Sequence, residues 1–255
     1  LNRGVKWNTQ FLLSFVKDEV LSFDGSRSVA QYIGSGATSV TPLEGRPLFG
    51  VYTYDWGGLD PDTGDPLGYL NGELSTNYTS IINSYTPETL LFNGPARPTS
   101  FGSIRNDLTY KGWSISFNLS YRLGHYYRRK TVNYLDLNRG NITHSDFGLR
   151  WQNPGDELLT VVPSLPVGLN NGRQSFYQGA SVFVERADNI RLQDIRLSYR
   201  LNSGILKNSP FSNAEFYGYV NNVGILWKAT SEKLDPEFQT MRPLRSVALG
   251  VRFDL

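Results

Sequence analysis

Apolar and polar residues alternate along several stretches of this chain with a period of two, the mark of a β-strand with chemically distinct faces. The last ten residues are the most regular. Val247, Leu249, Val251, Phe253 and Leu255 fall on one face, and Ser246, Ala248, Gly250, Arg252 and Asp254 on the other. Trp7, Thr9, Phe11, Leu13 and Phe15 open the chain in the same way. Ile104, Leu108 and Tyr110 oppose Ser103, Arg105, Asp107 and Thr109, and Lys111-Gly112 makes a tight turn into the return strand. That strand carries Trp113, Ile115, Phe117, Leu119, Tyr121 and Leu123 against Ser114, Ser116, Asn118, Ser120, Arg122 and Gly124. It runs well beyond the roughly 5–6 residues of a soluble strand and reaches the roughly 9–11 tilted residues that cross a bilayer. Ile195, Leu197, Tyr199 and Leu201 alternate with Asp194, Arg196, Ser198 and Arg200; Ala214, Phe216, Gly218 and Val220 alternate with Glu215, Tyr217, Tyr219 and Asn221.

Between these strands the pattern is lost. Val20–Phe23 predicts a short strand and 24–46 a Gly/Ser/Thr-rich loop, while Leu48–Trp56 reads as another strand with Tyr52, Tyr54 and Trp56 on one face. Turn residues dominate from Gly57 to about Ser100, with one short helix through Ile81 and Ile82 capped by Thr76-Asn77. A second irregular connection spans about 126–189. Counting back from the C-terminus, connections alternate long (224–243), shorter (202–213), very long (126–189), minimal (111–112) and long (57–100). Outer-membrane barrels show this asymmetry, with short periplasmic turns and long extracellular loops. The alternation breaks at 17–46, too long for a periplasmic turn.

Composition narrows the classes. The 255 residues carry a formal net charge of +2, so nothing points to nucleic acid, and no cysteine is present for disulfides or thiol chemistry. No apolar run approaches the roughly 18–20 residues of a transmembrane helix. Aromatic residues reach 13%, with 15 Tyr, 14 Phe and 5 Trp, which suits the girdles of a transmembrane barrel or a carbohydrate-binding β protein. Two histidines, His125 and His144, stand without a nucleophile motif, so the chain reads as a non-enzyme with no cofactor. The same alternation also describes a soluble β-sandwich with the apolar face in a core; strand length and loop asymmetry favour an all-β, antiparallel transmembrane barrel.

In order and spacing, a series of segments resembles the C-terminal third of SusC/RagA-type TonB-linked outer-membrane transporters. They are Gly45-Arg46-Pro47-Leu48-Phe49-Gly50, Gly58-Leu59-Asp60-Pro61-Asp62, Leu108-Thr109-Tyr110-Lys111-Gly112-Trp113, Trp151-Gln152-Asn153-Pro154-Gly155-Asp156-Glu157, Ala187-Asp188-Asn189-Ile190-Arg191-Leu192, Leu234-Asp235-Pro236-Glu237 and Arg242-Pro243. The resemblance implies about seven C-terminal strands of a 22-stranded barrel, the C-terminus periplasmic, with the plug domain and N-terminal strands on sequence other than this. It also implies lipid and lipopolysaccharide around the barrel, a SusD-type surface lipoprotein, energy from TonB, and uptake of oligosaccharides or peptides. An alternative is a barrel fragment held as a client of the barrel-assembly machinery, for which Gly250, Phe253 and Leu255 resemble the C-terminal signal.

Candidate sites follow. Trp56, Trp151 and Trp227, in or beside the long loops, are candidates to stack on sugar rings or peptide side chains, and Tyr217 and Tyr219 point to the polar side. Arg128, Arg129 and Lys130, after Tyr126-Tyr127 at the rim, are candidates for lipopolysaccharide phosphates, with the tyrosines as interface anchors. Asp60, Asp62 and Asp65 offer weak Ca²⁺ ligation, against the favoured reading of an Asx turn.

Overall fold

The computed structural model describes residues 4–34, 39–141, 144–201, 206–207, 209–239, 241 and 243–254. Leu255 and Arg242 lie outside them, so the parts of the terminal-strand and Arg242-Pro243 expectations that rest on these two residues stand as sequence readings. The chain divides into two compact units. One comprises Leu1–Val16, Pro98–Gly124 and Ala187–Leu255; the other comprises Lys17–Arg97 and His125–Arg186.

The first unit is one antiparallel sheet. Its six strands are β1 (Lys6–Phe15), β2 (Ser100–Tyr110), β3 (Trp113–Leu123), β4 (Asn189–Leu201), β5 (Asn213–Lys228) and β6 (Ser246–Asp254), each hydrogen-bonded to the next in chain order. β2 and β3 meet at Lys111 and Gly112, both with positive φ (47° and 88°), the type I′ geometry that matches strand twist. The anomaly at 17–46 disappears in this topology. Residues 20–23 form no strand, only an isolated bridge at Val20 to Glu44, and the strand near 48–56 is Gly50–Thr53, outside the sheet. All of 17–97 is therefore one excursion between β1 and β2. The connections then alternate without exception, and 17–97, 125–186 and 229–245 all leave from the same end of the sheet.

Register keeps the two faces chemically apart. Ile115, Leu197, Gly218 and Leu249 line up across four strands on one face, and Ser116, Arg196, Tyr219 and Ala248 on the other. A bulge at Leu192/Asp194 shifts the phase of β4, so Asn189 and Arg191 share the polar face with Asp194 and Arg196. That shift is why alternation in the sequence is evident only from Asp194 onward. The apolar face stands open: Trp7 is 70% exposed and Leu249 85%. A sandwich would bury that face in its core, so the β-sandwich alternative is set aside. Asn106, an amide on this face, accepts hydrogen bonds from Trp7 Nε1 (3.0 Å) and Thr9 Oγ1 (2.7 Å).

The second unit corrects the expectation of irregular loops. Short ribbons pair Gly50–Thr53 with Leu91–Pro95, Pro66–Leu70 with Glu73–Ser75, and Tyr126–Arg128 with Val184–Arg186. Helix α1 (Tyr78–Ser84) begins where Asn77 Oδ1 accepts from the Ser80 N–H (3.1 Å), as the sequence predicts. Helix α2 (Asn171–Gln178) supplies Phe176, fully buried among Tyr54, Tyr78 and Ile81. The two distant segments interlock: Tyr54 N–H donates to Gly179 O, Ser181 N–H to Tyr54 O, and Gly68 lies against the Phe176 ring, where a Cβ would come within 2.6 Å.

Candidate functional site

The polar face of the sheet is a mosaic of charge and tyrosine. Arg196 donates to Glu215 Oε1 (3.2 Å) while its guanidinium lies 4.8 Å from the Tyr217 ring centre. Arg252 pairs with Asp254 at 3.0 Å and Arg105 with Asp107 at 3.6 Å. Such exposed pairs contribute little stability, about 0–1 kcal/mol each, so their value here is to fix side chains in an orderly polar wall. Tyr217 is opposite Gly250 and covers it; a Cβ there would come within 2.4 Å of the ring. The glycine thus has a packing role within the sheet.

At the end with the long connections, the segment 229–239 folds back on this wall. Asp188 ties three pieces together: its carboxylate accepts from Gly124 N–H (2.7 Å) and its carbonyl from Ala229 N–H (2.9 Å). Arg191 donates to Asp235 Oδ2 at 2.6 Å, and both side chains are only 6% exposed. Glu237 receives Arg122 and, at 2.9 Å, the Asn189 amide. Asn189 and Arg122 are direct cross-strand partners on β4 and β3.

No family model matches the chain. It is 25% identical over 265 aligned positions to "TonB-dependent receptor P39" of Formosa agariphila, an alignment covering 87% of this chain and 25% of the relative. Among solved structures, the RagAB peptide importer in its "open-open" state matches with TM-score 0.67 and 16% identity, covering all of this chain and 27% of that one. The "closed-closed" state gives TM-score 0.65, with 17% identity over 98% of this chain and 27% of that one. The chain has the fold of a RagA-type barrel segment. In sequence and in fold it is similar to the SusC/RagA-type TonB-dependent transporters, as its motifs imply, and it spans about a quarter of the length of these relatives. The relatives are named as a receptor and importers, not as enzymes.

The structure relocates most residues singled out from sequence. Trp151 is 8% exposed, lies against Gly64 and donates from Nε1 to Glu157 (3.2 Å); it presents no ring to a ligand. Trp56 stacks on Phe176 with centroids 6.4 Å apart and serves the loop unit's core. Trp227 is on β5 beside Ile190, on the apolar face rather than the polar one. Tyr217 and Tyr219 do face the polar side, each across from β4.

The basic run is corrected most sharply. Arg128 reaches inward to the carbonyls of Tyr52 (3.2 Å) and Ile33, and burial pulls its pKa down. Arg129 pairs with Asp146 at 2.7 Å and lies over Phe183. Only Lys130 is exposed, and Tyr127 is buried within a ribbon, so neither a phosphate site nor a pair of interface anchors forms. Asp60 accepts from the N–H groups of Asp62 (2.9 Å) and Thr63 (2.8 Å), while Asp65 pairs with Arg173 at 2.7 Å. Among the described residues no His/Cys/Asp/Glu group is arranged to hold a metal. A cavity of about 220 Å³ in the loop unit is lined by Tyr134, Leu137, Phe147, Leu165, Arg173 and Gln174. Burial pushes Tyr134 up to about 12, and its hydroxyl donates to Pro163 O.

Asp188, Asn189, Arg191, Asp235 and Glu237 form the most buried polar cluster of the sheet. They lie in two of the motifs that carry the family resemblance, Ala187-Asp188-Asn189 and Leu234-Asp235-Pro236-Glu237. An acid at each place was visible in the sequence; that the two motifs meet required the register.

Proposed function

We propose that this chain is the C-terminal part of the β-barrel of a TonB-dependent importer in the bacterial outer membrane. In this reading the apolar face, including Val247, Leu249, Val251 and Phe253, meets lipid and lipopolysaccharide, and Leu255 continues that row from the sequence pattern. The polar face lines a hydrated lumen, the long connections are extracellular, and the C-terminus is periplasmic. The rest of the barrel and a plug complete the pore, TonB supplies energy, and a SusD-type lipoprotein delivers oligosaccharides or peptides.

What carries the proposal is one sheet with an exposed apolar face, a charged opposite face and every long connection at one end. Charges on an outward-facing strand position cost about 2–4 kcal/mol at mid-membrane, and no Lys, Arg, Asp or Glu occupies the apolar rows of β3, β4 and β6. The match to the RagAB peptide importer across the whole chain supports the same assignment of faces. The test uses the full polypeptide carrying this sequence, expressed in its outer membrane. Heat-modifiable migration and TonB-dependent uptake of fluorescent oligopeptides or oligosaccharides are expected. Recovery in the soluble fraction, or uptake unaffected by removal of TonB, would overturn it.

A further inference from the structure

We propose that residues 229–239 form a displaceable strap whose two carboxylates occupy a carboxylate-binding site on the polar wall, and that a carboxylate-bearing ligand competes for that site. The wall component is preformed by the sheet. Arg122 and Asn189 face each other across β3 and β4, and Arg191 follows two residues along the same face. Two guanidinium groups and an amide therefore converge from adjacent strands, a donor set matched to carboxylate oxygens.

The strap supplies the occupants. Asp235 heads a tight turn, accepting from Glu237 N–H at 3.0 Å, while Phe238 N–H donates to the Asp235 carbonyl at 3.0 Å. The turn sends Asp235 to Arg191 and Glu237 to Arg122 and Asn189. The Phe238 ring is 5.9 Å from the Arg191 guanidinium. Lys228 Nζ holds the near end through the carbonyls of Glu232 and Leu234. The tip is thus held by ion pairs and by the buried Pro236 between the two acids, while Phe238 is 44% exposed and Leu234 40%. A segment anchored by two carboxylates and little apolar burial is one that soluble carboxylates can replace, since the ligand restores each charge pair the strap gives up. An incoming peptide C-terminus, acidic side chain or uronate has the required group. The importer reading bears only on where such a ligand comes from; displacement itself is measurable without transport.

The experiment is limited trypsin digestion of the full-length protein in its membrane, read by mass for cleavage after Lys233, a bond within the strap. The wild type should resist, and D235N/E237Q should be cut at least about tenfold faster. Millimolar acetyl-Leu-Asp-Pro-Glu-Phe-amide, the strap's own sequence, should accelerate cleavage of the wild type severalfold; the Asn/Gln analogue should not. Equal cleavage of wild type and variant would overturn the strap. Acceleration by neither peptide, or by both alike, would overturn the carboxylate site. Heat-modifiable migration of each variant confirms assembly, and E237Q alone, removing one anchor, should give an intermediate rate if the double variant assembles poorly. Absence of TonB-dependent uptake by the wild type, with these cleavage results intact, would sink the importer reading and leave the strap standing.

Discussion

Leu249→Arg and Ala248→Arg place the same charge one residue apart on β6, on opposite faces. The strand is nine residues long, so at about 3.3 Å per residue and roughly 45° tilt it climbs about 21 Å along the membrane normal. Leu249 then lies only ~2 Å from its mid-height. Its side chain is 85% exposed, so little packing is lost when it is replaced, and in water the change would be worth no more than about 0.5 kcal/mol. Against lipid the same arginine costs about 2–4 kcal/mol. That corresponds to roughly 30- to 1000-fold in the folding equilibrium. Ala248, exposed on the polar face opposite Tyr219, meets only the charged wall, and arginine there should shift stability by less than about 0.5 kcal/mol. Urea titration of the full polypeptide refolded into phosphocholine vesicles measures both, with heat-modifiable band intensity as the readout in cells. Equal effects of the two variants, or a Leu249→Arg cost below 0.5 kcal/mol, would show that this face does not meet lipid.

Gly250→Val forces a Cβ into the Tyr217 ring and should slow barrel assembly, whereas the double variant with Tyr217→Ala should recover most of the rate; no recovery would return Gly250 to a role in recognition by assembly factors. Burial raises the pKa of Asp146, but hydrogen bonds from Arg129 and Thr131 outweigh it and hold the carboxyl below its usual value. Its contribution is therefore present above the unfolded carboxylate pKa of about 3.9 and is lost as pH falls through the lower folded value, so loop-unit protection from proteolysis should drop below about pH 4, and Asp146→Asn should flatten that response. Arg128→Ala should open the loop unit to proteolysis at neutral pH by removing two buried hydrogen bonds, about 1.5–3 kcal/mol each, while Lys130→Ala leaves both proteolysis and lipopolysaccharide sensitivity unchanged.

Sheet strands were legible because one face must differ from the other at every second residue, a signal that survives without neighbours. The breaks in that legibility have local causes. β4 begins at Asn189, but the bulge near Gln193 reverses the phase, so its first turn of alternation does not join the rest. The loop unit has no comparable signal. Its strands are two to five residues long, and its core comes from aromatic residues separated by more than a hundred positions, such as Tyr54 and Phe176 at 5.7 Å. Aromatic residues in such segments read equally well as ligand platforms, which is why Trp56 and Trp151 invited a functional role. The basic run failed for the same reason: Arg128 and Arg129 have buried acceptors contributed by Ile33, Tyr52 and Asp146, none of them adjacent in sequence.

Burial along the polar wall separates two uses of charge. Arg200 and Arg252 are open to solvent, and the Arg252–Asp254 pair is dispensable to folding because water solvates each partner alone, while Arg196 and Glu215 are half-buried between the extremes. Arg191 is on the same face but beneath the strap, where an uncompensated guanidinium would cost several kcal/mol. A covering segment with only apolar residues could not close over it; one with an acid at the right position can. The acids of the strap are thus a condition for its closing at all, and the same condition fixes what can open it. Apolar competitors would leave Arg191 unpaired, whereas a carboxylate keeps the pair count constant. Substituting Arg191→Met leaves the Asp235 carboxylate buried without its partner, so the strap should lift and cleavage after Lys233 should run at least about tenfold faster than in the wild type. Cleavage of Arg191→Met as slow as that of the wild type in an assembled barrel would mean that the ion pair is not what holds the strap down.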